Sequence, residues 1–207
     1  AHIITISEFV KRDLVNFTGV SPDKITVTLE SADELPKGND PVKELVGKTF
    51  IMYIGRPTPH KNLRRLIDAF ELLQQKHPEL TLALAGKKDG NYARHEAYVT
   101  ERGITNVVFT GFVSDEQMRW MYEHAAVYCF PSLSEGFGLP GLEAMLHGAP
   151  VASSTATCLP ETHGEAAHYF DPYSIEDMAR AIDELLTDEK RRRELIKKGK
   201  QHVKTFS

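Results

Sequence analysis

The sequence predicts a doubly wound α/β domain, and three observations carry that expectation. Short β-rich runs alternate with segments of helical period. Most of these runs are continuously apolar rather than alternating, as suits strands covered on both faces of a parallel sheet. The loops leaving two of them concentrate glycine, proline, cations and carboxylates. In such sheets ligands bind at the carboxyl ends of strands, in the loops that lead to helices.

The elements follow in chain order. HIITI (2–6) and KITVTL (24–29) open the series as β-rich runs. TFIMYI (49–54) is the first continuously apolar strand. In 62–76, Leu63, Leu66, Ile67, Phe70 and Leu73 fall on one stripe of a helix. LTLALA (80–85) and VVFTG (107–111) are the next strands. Ser114 with Gln117 makes a capping box that opens a helix over 115–125, with Met118, Met121 and Tyr122 facing inward. AVYCF (126–130), PVASS (150–154) and AAHYF (166–170) complete the strands. Ser174 caps 175–186, whose apolar face is Met178, Ala181, Ile182 and Leu185. The last segment, EKRRRELIKKGKQHV (189–203), is a charged surface helix, and its basic run reads as a solvated face. No internal repeat or low-complexity tract is present.

Composition bounds the function. A chain of 207 residues is one large domain, or one domain with pieces of another. Its 41% apolar and 26% charged residues are ordinary for a globular protein. A formal charge of −4 gives no reason to expect a nucleic-acid partner. Two cysteines, Cys129 and Cys158, make no disulfide framework and suit a reducing compartment, so a cytoplasmic location is expected. No apolar run approaches the roughly 18–20 residues of a membrane span, and no signal peptide is visible. Ala1 stands at the head of an apolar strand-like run, which reads as a cut end.

Two βα loops carry the chemistry. The first is GRPTPHKN (55–62). Gly55 permits a tight exit from the strand. Arg56 and Lys61 then bracket a proline-stiffened loop ahead of a helix that starts near Asn62. Two cations beside a helix N-terminus make an anion site, with phosphate or diphosphate as the natural guest. The bland alternative is two exposed surface cations.

The second loop, SEGFGLPGLE (134–143), spells G-x-G-x-x-G with Gly136, Gly138 and Gly141. That pattern suggests a dinucleotide turn, and Glu161 lies about twenty residues on, as a ribose-binding acid would. Yet the motif sits late in the domain, several residues past its strand, and Glu135 would turn negative charge toward the phosphates. Carboxylates suit sugar hydroxyls better. Glu135 and Glu143 could each hold one sugar, with the loop amides and the Arg56/Lys61 pair on a diphosphate between them. A nucleotide-sugar is such a ligand. Alternatively the glutamates merely favour a helix start and the glycines merely turn the chain.

These stretches resemble a known family. SEGFGLPGLEAMLHGAPVASS closely resembles the two-glutamate motif of the retaining, two-domain glycosyltransferases of family 4. IGRPTPHKNLRRLIDAF looks like that family's donor-diphosphate loop. NVVFTGFVSDEQMRWMYEHAAVYCFPS and LPETHGEAAHYFDP are similar to the segments between and after them. IITISEFVKRDLVNFTGVSPDKITVTL resembles the family's inter-domain region. The resemblance implies the GT-B fold, two Rossmann-like domains across a cleft. This chain matches the carboxy-terminal, donor-binding one. It implies a crossing segment over 1–47, a nucleotide-sugar-binding domain over 48–207, and an absent amino-terminal domain that holds most of the acceptor site.

The resemblance also implies roles. Arg56 and Lys61 contact the diphosphate, and Glu135 faces hydroxyls of the transferred hexose. The amides around Gly136, Phe137, Gly138 and Leu139 approach hexose and phosphate. Glu143 binds the ribose. Gly55 opens the diphosphate loop, and the backbone near Phe112 and Val113 borders the base. TLESAD (28–33) departs from the family's common Pro-Asn-Gly-Val-Asp turn, and with PHKNL it leans toward GDP-mannose over another nucleotide-diphosphate sugar. The expected partners are that donor, a glycan or lipid-linked acceptor and the chain's own amino-terminal domain. Contact with the inner face of a membrane would run through that domain. No cofactor and no metal are expected: the chain has no Asp-x-Asp triplet, and its nine histidines show no ligand spacing. Retention of configuration is implied, by same-face attack assisted by the leaving phosphate, with Glu135 as a covalent nucleophile the alternative. A non-catalytic nucleotide-sugar-binding module and a dinucleotide-dependent oxidoreductase are the competing functions.

Overall fold

The computed structural model describes residues 1–38 and 40–206. Asn39, inside the expected crossing segment, and Ser207, the end of the expected donor domain, lie outside the described residues.

All eight expected strands are present, most of them shortened at their ends. β1 (Ile3–Thr5) and β2 (Ile25–Val27) form a separate two-stranded parallel sheet. The remaining strands are β3 (Phe50–Ile54), β4 (Thr81–Ala85), β5 (Val107–Gly111), β6 (Val127–Phe130), β7 (Val151–Ser154) and β8 (Ala167–Phe170). They make one parallel sheet in the order β5-β4-β3-β6-β7-β8. Strand order therefore reverses between β3 and β6, and a crevice opens outside the carboxyl ends of those two strands. The loops leaving them are 55–62 and 131–138, the two singled out by sequence.

The apolar strand runs are explained by burial on both faces. Phe50 and Met52 point to one face of the sheet, Ile51 and Tyr53 to the other, and all four are at most 1% exposed. The first pair joins Tyr122, Tyr128, Phe130, Leu142 and Met145. The second joins Leu66, Phe70, Leu82, Ile182 and Leu185.

Four helices match their expected spans closely: α2 (Leu63–Gln74), α4 (Asp115–His124), α7 (Ile175–Thr187) and α8 (Glu189–His202). Both halves of the Ser114/Gln117 capping box form, and Ser174 accepts from the Asp177 amide. α5 (Leu139–Leu146) follows the glycine loop. Three helices were not foreseen. α1 (Glu8–Thr18) buries no residue, and α3 (Gly90–Arg102) buries only Tyr92, Tyr98 and Val99, so neither shows a full apolar stripe. α6 (Leu159–His163) is too short to show a period. Among the described residues no helix is long and apolar enough to cross a membrane.

Candidate functional site

The first loop separates its two cations. Pro59–Lys61 forms a tight 3-10 turn between Arg56 and α2. Arg56 remains 78% exposed in its side chain, with Nε 3.6 Å from Asp89 Oδ2. Asp89 also caps α3, accepting from the Asn91 and Tyr92 amides. These backbone bonds, with Arg56 beside them, hold its carboxyl below the usual range. Arg56 lines a cleft of about 460 Å³ with Gly55, Lys87, Phe112, Val113 and Asp115. Phe112 is exposed there and Val113 is buried.

Lys61 lies elsewhere. Its Nζ donates to Glu135 Oε1 at 2.6 Å, joining positions 74 residues apart. Both side chains are largely covered, at 21% and 13% exposure. The pair of cations expected to share one anion is thus divided: Arg56 stands with an acid of α3, Lys61 with the acid of the glycine loop. α2 begins after Asn62, whose side chain does not cap the helix. It donates instead to Pro131 O (3.0 Å) and Pro172 O (2.8 Å), binding the first loop to the second.

The glycine loop follows β6, well after the first strand of the sheet, so the G-x-G-x-x-G pattern is not a dinucleotide turn of the usual placement. Four consecutive carbonyls are held by side chains of neighbouring segments. Glu135 O accepts from Thr157 Oγ1 (3.1 Å) and Cys158 Sγ (3.3 Å). Gly136 O accepts from Ser7 Oγ at 2.7 Å. Phe137 O accepts from Thr162 Oγ1 at 2.6 Å. Gly138 O lies 3.1 Å from His163 Nε2. No peptide bond described here is cis, and across a trans peptide the next N–H points opposite the carbonyl. The amides of Gly136, Phe137, Gly138 and Leu139 therefore point away from these anchors. None of them donates to a protein acceptor among the described residues. Gly138 adopts φ +97 as the residue before α5, a conformation that favours glycine.

Glu143 sits on α5, where its Oε2 accepts from Tyr122 Oη at 3.2 Å. Burial pushes its carboxyl above the ordinary value, and the negative charge of Asp115 adds to this, while the Tyr122 bond opposes it. Glu135 is fixed at the main chain as well, its amide donating to Thr157 Oγ1 at 3.0 Å.

The anchors Ser7, Thr157, Thr162 and His163 were not found by sequence reading, nor was Asp89. No sequence signal marked them, since LPETH is separated from the glycine loop by α5 and β7 (Val151–Ser154). Glu161, noted only for its spacing, has another use: its carboxylate accepts from the Glu8 amide (2.7 Å) and the Phe9 amide (2.9 Å), closing the start of α1. Among the described residues no three His, Cys, Asp or Glu side chains gather to hold a metal ion.

Fold and site together describe the Rossmann-like unit of GT-B glycosyltransferases, with its loops gathered at one switch point. Residues 38–202 match the family Glycosyl transferases group 1, and the chain belongs to that family. It is 31% identical over 219 residues to O-antigen chain mannosyltransferase B of Escherichia coli, covering 99% of this chain and 56% of the relative. It is 30% identical over 210 residues to the MMP alpha-(1->4)-mannosyltransferase of Mycolicibacterium hassiacum, covering 99% and 50%. Anabaena HepE, solved in complex with UDP and glucose, superposes with a TM-score of 0.85 at 20% identity, covering 99% of this chain and 58% of that one. The chain thus spans about half the length of these relatives.

Proposed function

We propose that this chain is the donor-binding part of a glycosyltransferase that moves mannose from GDP-mannose to a glycan or lipid-linked acceptor. The observation that carries this reading is the Lys61–Glu135 contact at 2.6 Å beside a loop whose amides are left unbonded. A largely covered cation, an acid assigned to the sugar and a row of N–H donors then meet at one end of the sheet. The nucleoside lies along the Phe112/Val113 cleft with Arg56 at its rim. The diphosphate meets the Gly136–Leu139 amides and the start of α5, where the helix dipole favours anions. Glu143 accepts from the ribose and Glu135 from the hexose.

As the glycosidic bond breaks, negative charge grows on the leaving diphosphate. Fixed donors aimed at that charge lower the barrier; Lys61 adds a full positive charge to them, and Arg56 acts more weakly from the rim. Two curated relatives are named mannosyltransferases, which supports mannose. HepE is described with UDP, which supports a nucleoside diphosphate in this fold. Attack by the acceptor on the face the leaving group vacates gives retention, and the acceptor is held by an amino-terminal domain in a cytoplasmic enzyme.

Calorimetric titration of this chain with GDP, UDP, ADP and NAD tests the first step. GDP binding without NAD binding is expected, and NAD as the only ligand overturns the reading. In the full-length enzyme, GDP-mannose should give an α-linked product whose anomer is read by NMR, at a rate unchanged by EDTA. This chain alone should transfer no sugar, because water would remain in the open cleft. Robust transfer by residues 1–207 would mean that the acceptor site is misplaced.

A further inference from the structure

We infer that His163 is a positioning residue for the donor loop, and that Gly141 of the G-x-G-x-x-G pattern exists to admit its imidazole rather than a ligand. The inference rests on the nucleotide-sugar reading above, because the loop it positions is the one assigned to the diphosphate.

His163 ends α6 and is fully buried. Its Nε2 lies 3.1 Å from Gly138 O, and a carbonyl only accepts, so Nε2 carries the hydrogen. Burial pushes the imidazole down to about 4, so the ring is neutral and Nδ1 is an acceptor. Ser153 Oγ, at the end of β7, stands 3.1 Å from Nδ1 and donates to it. The tautomer is thereby fixed at both ends: strand hydroxyl, imidazole, loop carbonyl.

The ring also occupies the space under the first turn of α5. A Cβ on Gly141 would fall on Nε2 and Cε1 of His163. A Cβ on Gly138 would lie 3.2 Å from the same Nε2 and 2.6 Å from Leu159 Cδ2. A side chain at 141 and this imidazole are mutually exclusive, whereas at 138 the positive φ and Leu159 exclude a side chain and the ring only adds a tight contact. The preceding residue continues the device, since Thr162 Oγ1 binds Phe137 O at 2.6 Å. Two successive residues of α6 thus orient two successive loop peptides, and so set the direction of the Gly138 and Leu139 amides. No ligand need touch His163 for it to matter: an amide turned away from a phosphate loses its hydrogen bond.

The test uses the chain as it stands, with GDP as the probe. His163→Ala should raise the Kd for GDP roughly tenfold or more. His163→Gln restores an N–H donor of similar reach and should stay within about threefold of wild type. Gly141→Ala should weaken binding by displacing the ring. Adding His163→Ala to Gly141→Ala should cost little more, because the ring is already out of place. A purely structural histidine would lower Tm in His163→Ala and leave the Kd of the folded protein unchanged. A folded His163→Ala within about twofold of wild type, or a His163→Gln as weak as His163→Ala, overturns the inference. Should His163→Ala not fold, Gly141→Ala against His163→Gln carries the comparison, and equal affinities overturn it. Should wild type bind none of GDP, UDP and ADP, the nucleotide-sugar reading fails, and the Leu139 amide resonance still decides the positioning role. A shift in Gly141→Ala that is absent in His163→Gln supports it, and no shift in Gly141→Ala overturns it.

Discussion

The two loops at the switch point are built on opposite plans. In 55–62 the side chains carry the charge: Arg56 reaches into solvent beside Asp89, and Lys61 reaches inward to Glu135. In 131–138 Glu135 is the one charged side chain with a partner in the site, and the main chain around it is held by side chains from elsewhere, namely Ser7, Thr157, Thr162 and His163. The first loop places full charges that can be altered one at a time. The second places partial charges whose direction depends on a set of buried partners. Substitutions in the first should therefore act on rate or affinity with a local cost, and substitutions behind the second should act on affinity and folding together.

The sharpest break of this contrast is Lys61→Ala in the full-length enzyme. Turnover should fall by roughly 10²–10³, as when one group that stabilises developing charge is removed. An exposed surface cation, the bland alternative in the sequence, would scarcely affect stability on removal. The structure corrects this, because Glu135 would be left largely covered without its partner, which costs about 1–3 kcal/mol. Steady-state kinetics and a denaturant titration of the same variant measure both. Normal turnover would remove Lys61 from the chemistry.

The next largest effect lies behind the glycine loop and appears in pH. His163 is held at about 4 when folded, against roughly 6.5 in an unfolded chain. The depressed value means that the unfolded state takes up protons first. Stability from this group is complete above about 6.5 and is lost as pH falls toward 4, by roughly 3 kcal/mol in all. His163→Gln should flatten that part of the stability profile. His147 and His168 are also lowered by burial and contribute the same slope in both proteins, so the difference isolates His163. Parallel profiles would show a solvated imidazole.

Glu143→Ala should mainly raise KM for the donor, by about tenfold, since the proposed ribose contact would be made equally before and during reaction. A fall in kcat with unchanged KM would place Glu143 in the bond-breaking step instead. Arg56→Ala is the smallest. Its exposed pair with Asp89 adds little to folding, and donor affinity should weaken only about threefold. An effect as large as that of Lys61→Ala would mean that the rim cation swings inward when the donor binds.

What was legible in the sequence was local. The Ser114/Gln117 box, the stripes of α2 and α7 and the doubly buried strands all follow from spacing within one element. The two site loops were legible because glycine, proline and charge punctuate strand ends. The contact between Lys61 and Glu135 was not, since it spans 74 residues and depends on strand order. The anchors of the glycine loop escaped for the same reason: Ser7 is 129 residues from Gly136 and His163 is 25 from Gly138. A lone serine or histidine has no period to betray it. α3 escaped because its capping acid, Asp89, precedes a helix with only a thin buried stripe.

Ser7 does two tasks with one hydroxyl. It accepts from the Val10 amide, starting α1, and donates to Gly136 O. Glu161, one residue before the Thr162–His163 pair, takes the Glu8 and Phe9 amides. α1 is consequently bolted to the glycine loop and to the helix behind it by the same few bonds that begin it. A tilt of α1 that carried Ser7 with it would strip a carbonyl of the loop and two amides of the helix at once. α1 and the loop therefore share one set of bonds, and a displacement of the first is felt by the backbone of the second.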